Sequence, residues 1–299
     1  MWTYLNGSYV PQEQAMISPF DRGFLFSDGV YDVVRYYPPR GFFQKEAHLR
    51  RLQYGLEQLR ISARGGVPAG RQGSAFGREK VDIAQIDHVI EELMIRNEHT
   101  GSQAIAYVQV TRGSNIPRQH FFPPPSTLPT VFITTNPFKP HTEEMEKGVR
   151  VLLEDDIRWS RCDIKTIALI PNVLSRQRAV EAGACETIWS RDGLITEGTH
   201  TNFCAVMDGT LITPPRSSVI LTGITRQVVL DLCKTSGIPV REAQIEKADI
   251  PSLAECMIIG TTTEVTPVVR INDATIADGR PGALTRKIQR ELYNNIFGS

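Results

Sequence analysis

One lysine of this chain lies where a charge is expensive. In "RCDIKTIALIPN" (161–172), Lys165 follows Ile164 and is followed by Ile167, Ala168, Leu169 and Ile170. Taking an ammonium out of water costs several kcal/mol or more unless it is paired or neutralised. Lys165 therefore either carries its head to water along a packed stem, or is desolvated. Desolvation would lower its pKa and make it the nucleophilic amine of Schiff-base chemistry. The other lysines, Lys45, Lys80, Lys139, Lys147, Lys234, Lys247 and Lys287, sit among polar neighbours, in linkers or near helix ends.

Four further stretches carry candidate chemistry, each with a plainer use beside it. In "LTGITRQVV" (221–229) a glycine precedes a helix start, so the N–H groups of Ile224 and Thr225 can face an anion such as phosphate. Glycines also open many ordinary helices. "GTTTEVTP" (260–267) offers hydroxyls, Thr261 among them, for the same anion or for local backbone groups. In "TEGTHTNF" (196–203), Glu197 closes an apolar run, where it can pair with a buried cation or stand exposed on a hairpin. In "TRGSNIPRQHFFPPP" (111–125), Arg118 and His120 are two apart and share a side if the chain is extended. An arginine there can grip a carboxylate bidentately, or simply decorate a surface loop. A Schiff-base lysine, a phosphate cradle, a buried acid and a carboxylate clamp are together what pyridoxal 5′-phosphate requires, with its aldehyde, phosphate and ring nitrogen.

The elements that must position these residues are mixed. "TYLNGSYV" reads as a hairpin turning at Asn6-Gly7, and 29–37, 104–113 and 130–137 read as strands. Leucines at 49, 52, 56 and 59 predict a helix over 45–61, and 82–97 is helical by the same period. The Gly- and Arg-rich 62–79 has no period and is expected as a surface loop. A helix is expected over 172–182, with Asn172 as N-cap and Gly183 beyond its end. Asp192-Gly193 and Asp208-Gly209 predict two more hairpins, and helices follow at 224–237 and near the C-terminus. The expected architecture is α+β, in two domains: a smaller α/β domain over 1–136, a linker at 137–147, and a larger cofactor-binding domain over 148–299.

Composition narrows the partners. Net charge is zero, which argues against a nucleic-acid or membrane-surface binder. No window holds the run of roughly 20 apolar residues a membrane span needs, and "MWTYLNGSYVPQEQ" does not read as a secretory signal. Five cysteines, without a C-x-x-C pair, predict neither a disulfide framework nor a zinc site. A cytoplasmic enzyme without a metal is expected.

The stretches "DRGFLFSDGVYDVV", "HLRRL", "VTRGSNIPRQHFFP", "DIRWSRCDIKTIALIPNVL", "TEGTHTNF", "LTGITRQVV" and "TTTEVTPV", in that order, resemble fold-type IV (class IV) aminotransferases, nearest to those acting on D-amino acids. The resemblance runs nearly end to end. It implies Lys165 as the Schiff-base and proton-transfer residue, and Glu197 as partner of the pyridine nitrogen. It implies Arg51, Ile224, Thr225 and Thr261 at the phosphate, and Tyr31, Arg118 and His120 as a trap for the substrate carboxylate. In the family the Arg118/His120 loop reaches a neighbouring subunit's site, which implies a homodimer. The implied reaction is ping-pong transamination between D-amino acids (D-alanine, D-glutamate) and 2-oxo acids (2-oxoglutarate, pyruvate). Branched-chain L-amino acid aminotransferases, (R)-amine transaminases and aminodeoxychorismate lyases share the scaffold, as would a non-catalytic cofactor-binding protein. The Arg-x-His pair favours D-amino acids. Two positions depart from the D-specific pattern: His200, where a small hydroxyl residue is usual, and Thr222.

Overall fold

The computed structural model describes residues 1–61, 63–64 and 81–298. Apart from Ala63–Arg64, the 62–79 loop lies outside the described residues. The chain forms two units, Met1–Lys139 with Ile164–Ala168, and Pro140–Asp163 with Leu169–Ser299. Each is an α+β body, as the mixture of periods predicts.

In the first unit the strands are β1 Trp2–Leu5, β2 Ser8–Pro11, β3 Gly29–Tyr37, β4 Gly41–Phe42, β5 Ala63–Arg64, β6 Val81–Asp82, β7 Ala104–Thr111 and β8 Thr130–Pro137, and the helices α1 Arg22–Phe26, α2 Lys45–Gln58 and α3 Ile83–Arg96. Six strands make an antiparallel sheet in the order β2-β1-β8-β7-β3-β4. Leu52 and Leu56 of α2 and Ile90 and Leu93 of α3 are at most 1% exposed. They form one core with Val30, Val108, Val110 and Ile133 of the sheet, and burying each contributes about 1.5–3 kcal/mol. Gly55 lets α2 lie close on the sheet, since a Cβ there would stand 2.9 Å from Val30 Cγ1.

Strand β4 covers only the far end of β3, pairing at Tyr36 and Tyr37. The opening residues of that edge need another partner, because unpaired backbone groups in a buried place are costly. The segment Ile164–Ala168 supplies it. Val30 bridges Thr166, Tyr31 N donates to Lys165 O at 3.1 Å, and Ile167 N donates to Gly29 O at 3.2 Å. The segment expected in the second domain is thereby part of the first unit.

The second unit contains β9 Val149–Asp155, β10 Glu186–Arg191, β11 Leu194–Gly198, β12 Asn202–Met207, β13 Thr210–Thr213, β14 Val240–Glu242, β15 Glu255–Gly260, β16 Glu264–Ile271 and β17 Ala274–Thr275. Its helices are α4 Thr142–Lys147, α5 Ile170–Glu181, α6 Ile224–Thr235 and α7 Ala283–Phe297. Helix α4 lies in the stretch expected as linker. The sheet runs β11-β10-β9-β16-β15-β12-β13-β14, and β11 also pairs with β12 at Glu197 and Asn202, so six strands close a circuit. Pairs β9–β10, β9–β16 and β13–β14 are parallel and the rest antiparallel. The expected hairpin turns form at Asn6-Gly7, Asp192-Gly193 and Asp208-Gly209, all six residues with positive φ, as a two-residue type I′ turn demands.

One helix start differs from expectation. Helix α5 begins at Ile170 with Pro171 in its first turn, so its N-cap position falls at Leu169, not Asn172. Proline's fixed φ and missing N–H suit a first turn. Asn172 instead donates from Nδ2 to Thr199 O at 2.6 Å.

Candidate active site

Lys165 is half-buried, between buried Ile164 and Thr166, while Ile170 at the end of the apolar run is 68% exposed. Its Nζ donates to Tyr31 Oη at 3.3 Å and lies 4.4 Å from the centre of the Tyr31 ring. Among the described residues no carboxylate pairs with it. Both residues are placed by the β3 edge pairing, and the Tyr31 ring stacks on that of Tyr107 with their centres 5.7 Å apart. Burial, with Tyr31 beside it, pushes the Tyr107 phenol up to about 12.

Arg51 stands one turn after His48 on α2, and both reach Asp32 of β3. Arg51 donates Nε to Asp32 Oδ2 and Nη2 to Asp32 Oδ1, each at 2.8 Å. His48 Nδ1 lies 2.8 Å from Asp32 Oδ1. Burial would raise the Asp32 pKa, but Arg51 and His48 together hold its carboxyl well below the usual carboxylate range. Burial depresses the His48 pKa against the upward pull of Asp32. The guanidinium of Arg51 is thus held by two hydrogen bonds to one carboxylate.

Arg118 and His120 are exposed in the segment after β7. They do share a side: the Arg118 guanidinium sits 4.2 Å over the Phe26 ring, and the His120 ring centre is 5.3 Å from it. Among the described residues neither has a hydrogen bond or ring contact with Tyr31 or Lys165.

The second unit gathers the remaining candidates. Glu197 is 4% exposed at the closure of β11 on β12. Arg158 Nη1 donates to its Oε1 at 2.6 Å, Asn202 Nδ2 donates to its Oε2 at 3.1 Å, and Leu221 N donates to both oxygens at 3.1 and 3.0 Å. Burial dominates and pushes the Glu197 carboxyl up to about 7, against the downward pull of Arg158. Asn202 Nδ2 also donates to Leu221 O at 2.9 Å, which ties Glu197 to the loop entering α6. Helix α6 starts at Ile224 behind Gly223 and has no side-chain cap, so the N–H groups of Ile224 and Thr225 are left for an acceptor. Any Cβ at position 223 would fall 1.9 Å from Asn202 Oδ1. Thr261 follows β15, whose Ile259 pairs with Asn202.

His200, in the turn between β11 and β12, faces Glu186 with Nδ1 2.8 Å from Oε2. Burial raises the Glu186 carboxyl, but His200, Thr199 Oγ1 and the Thr187 N–H outweigh it and bring it down to about 2. The unusual residue therefore closes a hydrogen-bond set around a buried acid.

Arg158, Asn202, Asp32 and His48 escaped the sequence reading as site residues. Asp32 left a signal: it is the carboxylate in "GVYDVVRYY", in step with the buried Val30 and Val34. Within each unit, separate groups suit separate parts of pyridoxal 5′-phosphate. An amine without an acid partner suits its aldehyde, an uncapped helix start beside a glycine suits its phosphate, and a buried carboxylate held by Arg158 suits a protonated ring nitrogen.

The family model for amino-transferase class IV matches residues 29–271. The chain is 33% identical over 298 residues to a D-alanine aminotransferase of Staphylococcus epidermidis, covering 98% of this chain and 97% of the relative. It is 35% identical over 298 residues to that of Bacillus licheniformis, covering 99% and 98%. Among solved structures it resembles the branched-chain amino acid aminotransferase of Escherichia coli, with TM-score 0.84 and 23% identity over 99% of this chain and 94% of that one. The Thermobaculum terrenum branched-chain enzyme in its PLP form gives TM-score 0.81 and 21% identity over 99% and 94%. No described helix is long and apolar enough to cross a membrane.

Proposed function

The chain belongs to the class IV aminotransferases, and from that membership we propose that it moves the amino group of D-amino acids, such as D-alanine and D-glutamate, to 2-oxo acids such as 2-oxoglutarate and pyruvate. Enzymes of this class work with pyridoxal 5′-phosphate. When bound, the cofactor supplies an aldehyde that captures amines and a ring that takes up electrons from the carbon losing its proton.

The observation that carries the reading is the amine of Lys165, which donates to a phenol 3.3 Å away and has no carboxylate paired with it among the described residues. Nζ of Lys165 takes and returns the proton at the substrate α-carbon, and Tyr31 Oη orients it. Glu197 holds a proton at the ring nitrogen, kept ionisable by Arg158 at 2.6 Å. Arg51, the N–H groups of Ile224 and Thr225 and the hydroxyl of Thr261 bind the phosphate. Tyr31, Arg118 and His120 bind the substrate carboxylate. The exposure of Arg118 and His120 supports a homodimer in which their loop serves the partner's site. Five free cysteines support a reducing, cytoplasmic location. The D preference is supported by full-length identity to D-alanine aminotransferases.

The test is a substrate screen on purified holoenzyme. D-alanine should shift the visible absorbance of the bound cofactor and yield pyruvate, with D-glutamate appearing when 2-oxoglutarate is added. A shift with L-leucine and none with D-alanine would instead assign a branched-chain substrate. No shift with any amino acid would remove the transamination reading.

A further inference from the structure

Resting on that reading, we propose that Arg22 is a positioning residue that presets Arg118 and His120 for the substrate carboxylate. Arg22 belongs to the short α1 and is 5% exposed. It spends its guanidinium on the backbone between the two clamp residues and just beyond. Nη1 donates to Gln119 O at 2.7 Å and Phe121 O at 3.3 Å, and Nη2 donates to His120 O at 3.3 Å. A cation buried to this degree must be paired, and Asp28 does so, accepting from Arg22 Nε at 2.8 Å.

Asp28 holds a second arginine the same way. Arg112 donates Nε to Asp28 Oδ2 at 2.7 Å and Nη2 to Oδ1 at 2.9 Å, and its guanidinium lies 3.8 Å over the Phe122 ring. One partly buried carboxylate therefore organises two guanidiniums, one on the carbonyls of residues 119–121 and one on Phe122. The side chains above are registered too. Phe26, one turn after Arg22, has Arg22 at 4.7 Å and Arg118 at 4.2 Å from its ring centre, with His120 against the same ring.

The loop carrying the clamp has no regular strand or helix of its own. Three charge-assisted hydrogen bonds to consecutive carbonyls do the work that a ladder would otherwise do. A preset clamp loses less freedom when a carboxylate binds, so its removal should be read in binding.

The test compares Arg22→Met and Arg22→Lys in the holoenzyme, with Arg118→Met and the double variant Arg22→Met/Arg118→Met. Arg22→Met should raise KM for D-alanine about tenfold or more, while kcat changes less than about threefold. The dissociation constant of acetate, a bare carboxylate measured by calorimetry, should rise in parallel. The Arg22→Met step should add little once Arg118 is already methionine, because both remove the same interaction. Arg22→Lys, which keeps the charge but loses the fork, should fall between, and it carries the test if Arg22→Met fails to fold. Equal losses in kcat and KM, or independent, multiplying effects in the double variant, would overturn the positioning role. If Arg118→Met itself left KM and acetate binding unchanged, the clamp reading would fail instead.

Discussion

Replacing Arg158 by methionine isolates what holds Glu197 in its charged form. The side chain is 9% exposed, its head bonded to Glu197 at 2.6 Å and Asp156 at 2.9 Å, and it lies over Trp189 at 4.2 Å. Methionine keeps much of the stem's packing and removes the charge. At an effective dielectric constant of about 20, two charges about 4 Å apart attract by roughly 4 kcal/mol, or about three pKa units. Burial already puts Glu197 at about 7 with Arg158 present, so without Arg158 the acid should stay protonated through pH 8.5. A carboxyl with a raised folded-state pKa gives stability that is present below its unfolded value and lost as pH rises through the folded value. In the wild type that loss is complete a little above pH 7. In the variant it continues upward. Urea unfolding at pH 6 and pH 8.5 should therefore show a deficit at both, from Asp156 left with Arg191 as its one cation at 3.2 Å, that is larger at pH 8.5. The extra deficit spans about 1.5 pH units, or about 2 kcal/mol. The total at the higher pH should lie near the 3–5 kcal/mol, roughly, that breaking a buried pair costs. Equal deficits at the two pH values would show that Arg158 does not set the charge on Glu197.

Two further substitutions probe the first unit. Asp32→Asn removes the acceptor shared by Arg51 and His48 and should destabilise by about 3–5 kcal/mol near pH 7, read by urea unfolding. The Asp32 carboxyl is held below its ordinary value, so its contribution is present above about pH 4 and lost as pH falls. The deficit should therefore shrink in acid. Lys165→Ala should abolish turnover by at least about a hundredfold, the low end for a proton-transfer group. Borohydride should then fix cofactor at residue 165 of the wild type and nowhere on the variant, as peptide mass analysis would show.

How much of this could be read from the chain alone depended on how local each signal was. Asn6-Gly7, Asp192-Gly193 and Asp208-Gly209 specify their turns within two residues, and all three adopt the expected left-handed pair. The leucines of α2 point inward because a 3.6-residue period needs no distant partner to be recognised. Asn172 misled because Pro171, its immediate neighbour, satisfies the first turn without a side-chain cap. The Lys165 segment misled more deeply. Its unit is decided by an edge of β3 left open more than a hundred residues earlier, and nothing near Lys165 encodes that. Arg158 and Asn202 were silent for the same reason: each acquires its meaning only when β11 closes on β12 and brings Leu221 alongside. Asp32 is the instructive exception. Strand alternation puts it in line with Val30 and Val34, on the side that meets α2. A carboxylate in a core-facing register must have a cation opposite it, and the only element long enough to offer one from the adjoining sequence was the helix with His48 and Arg51. Charges that break a strand's apolar register thus point to partners that motif spacing does not reveal, and here the partner was a residue of the proposed phosphate site.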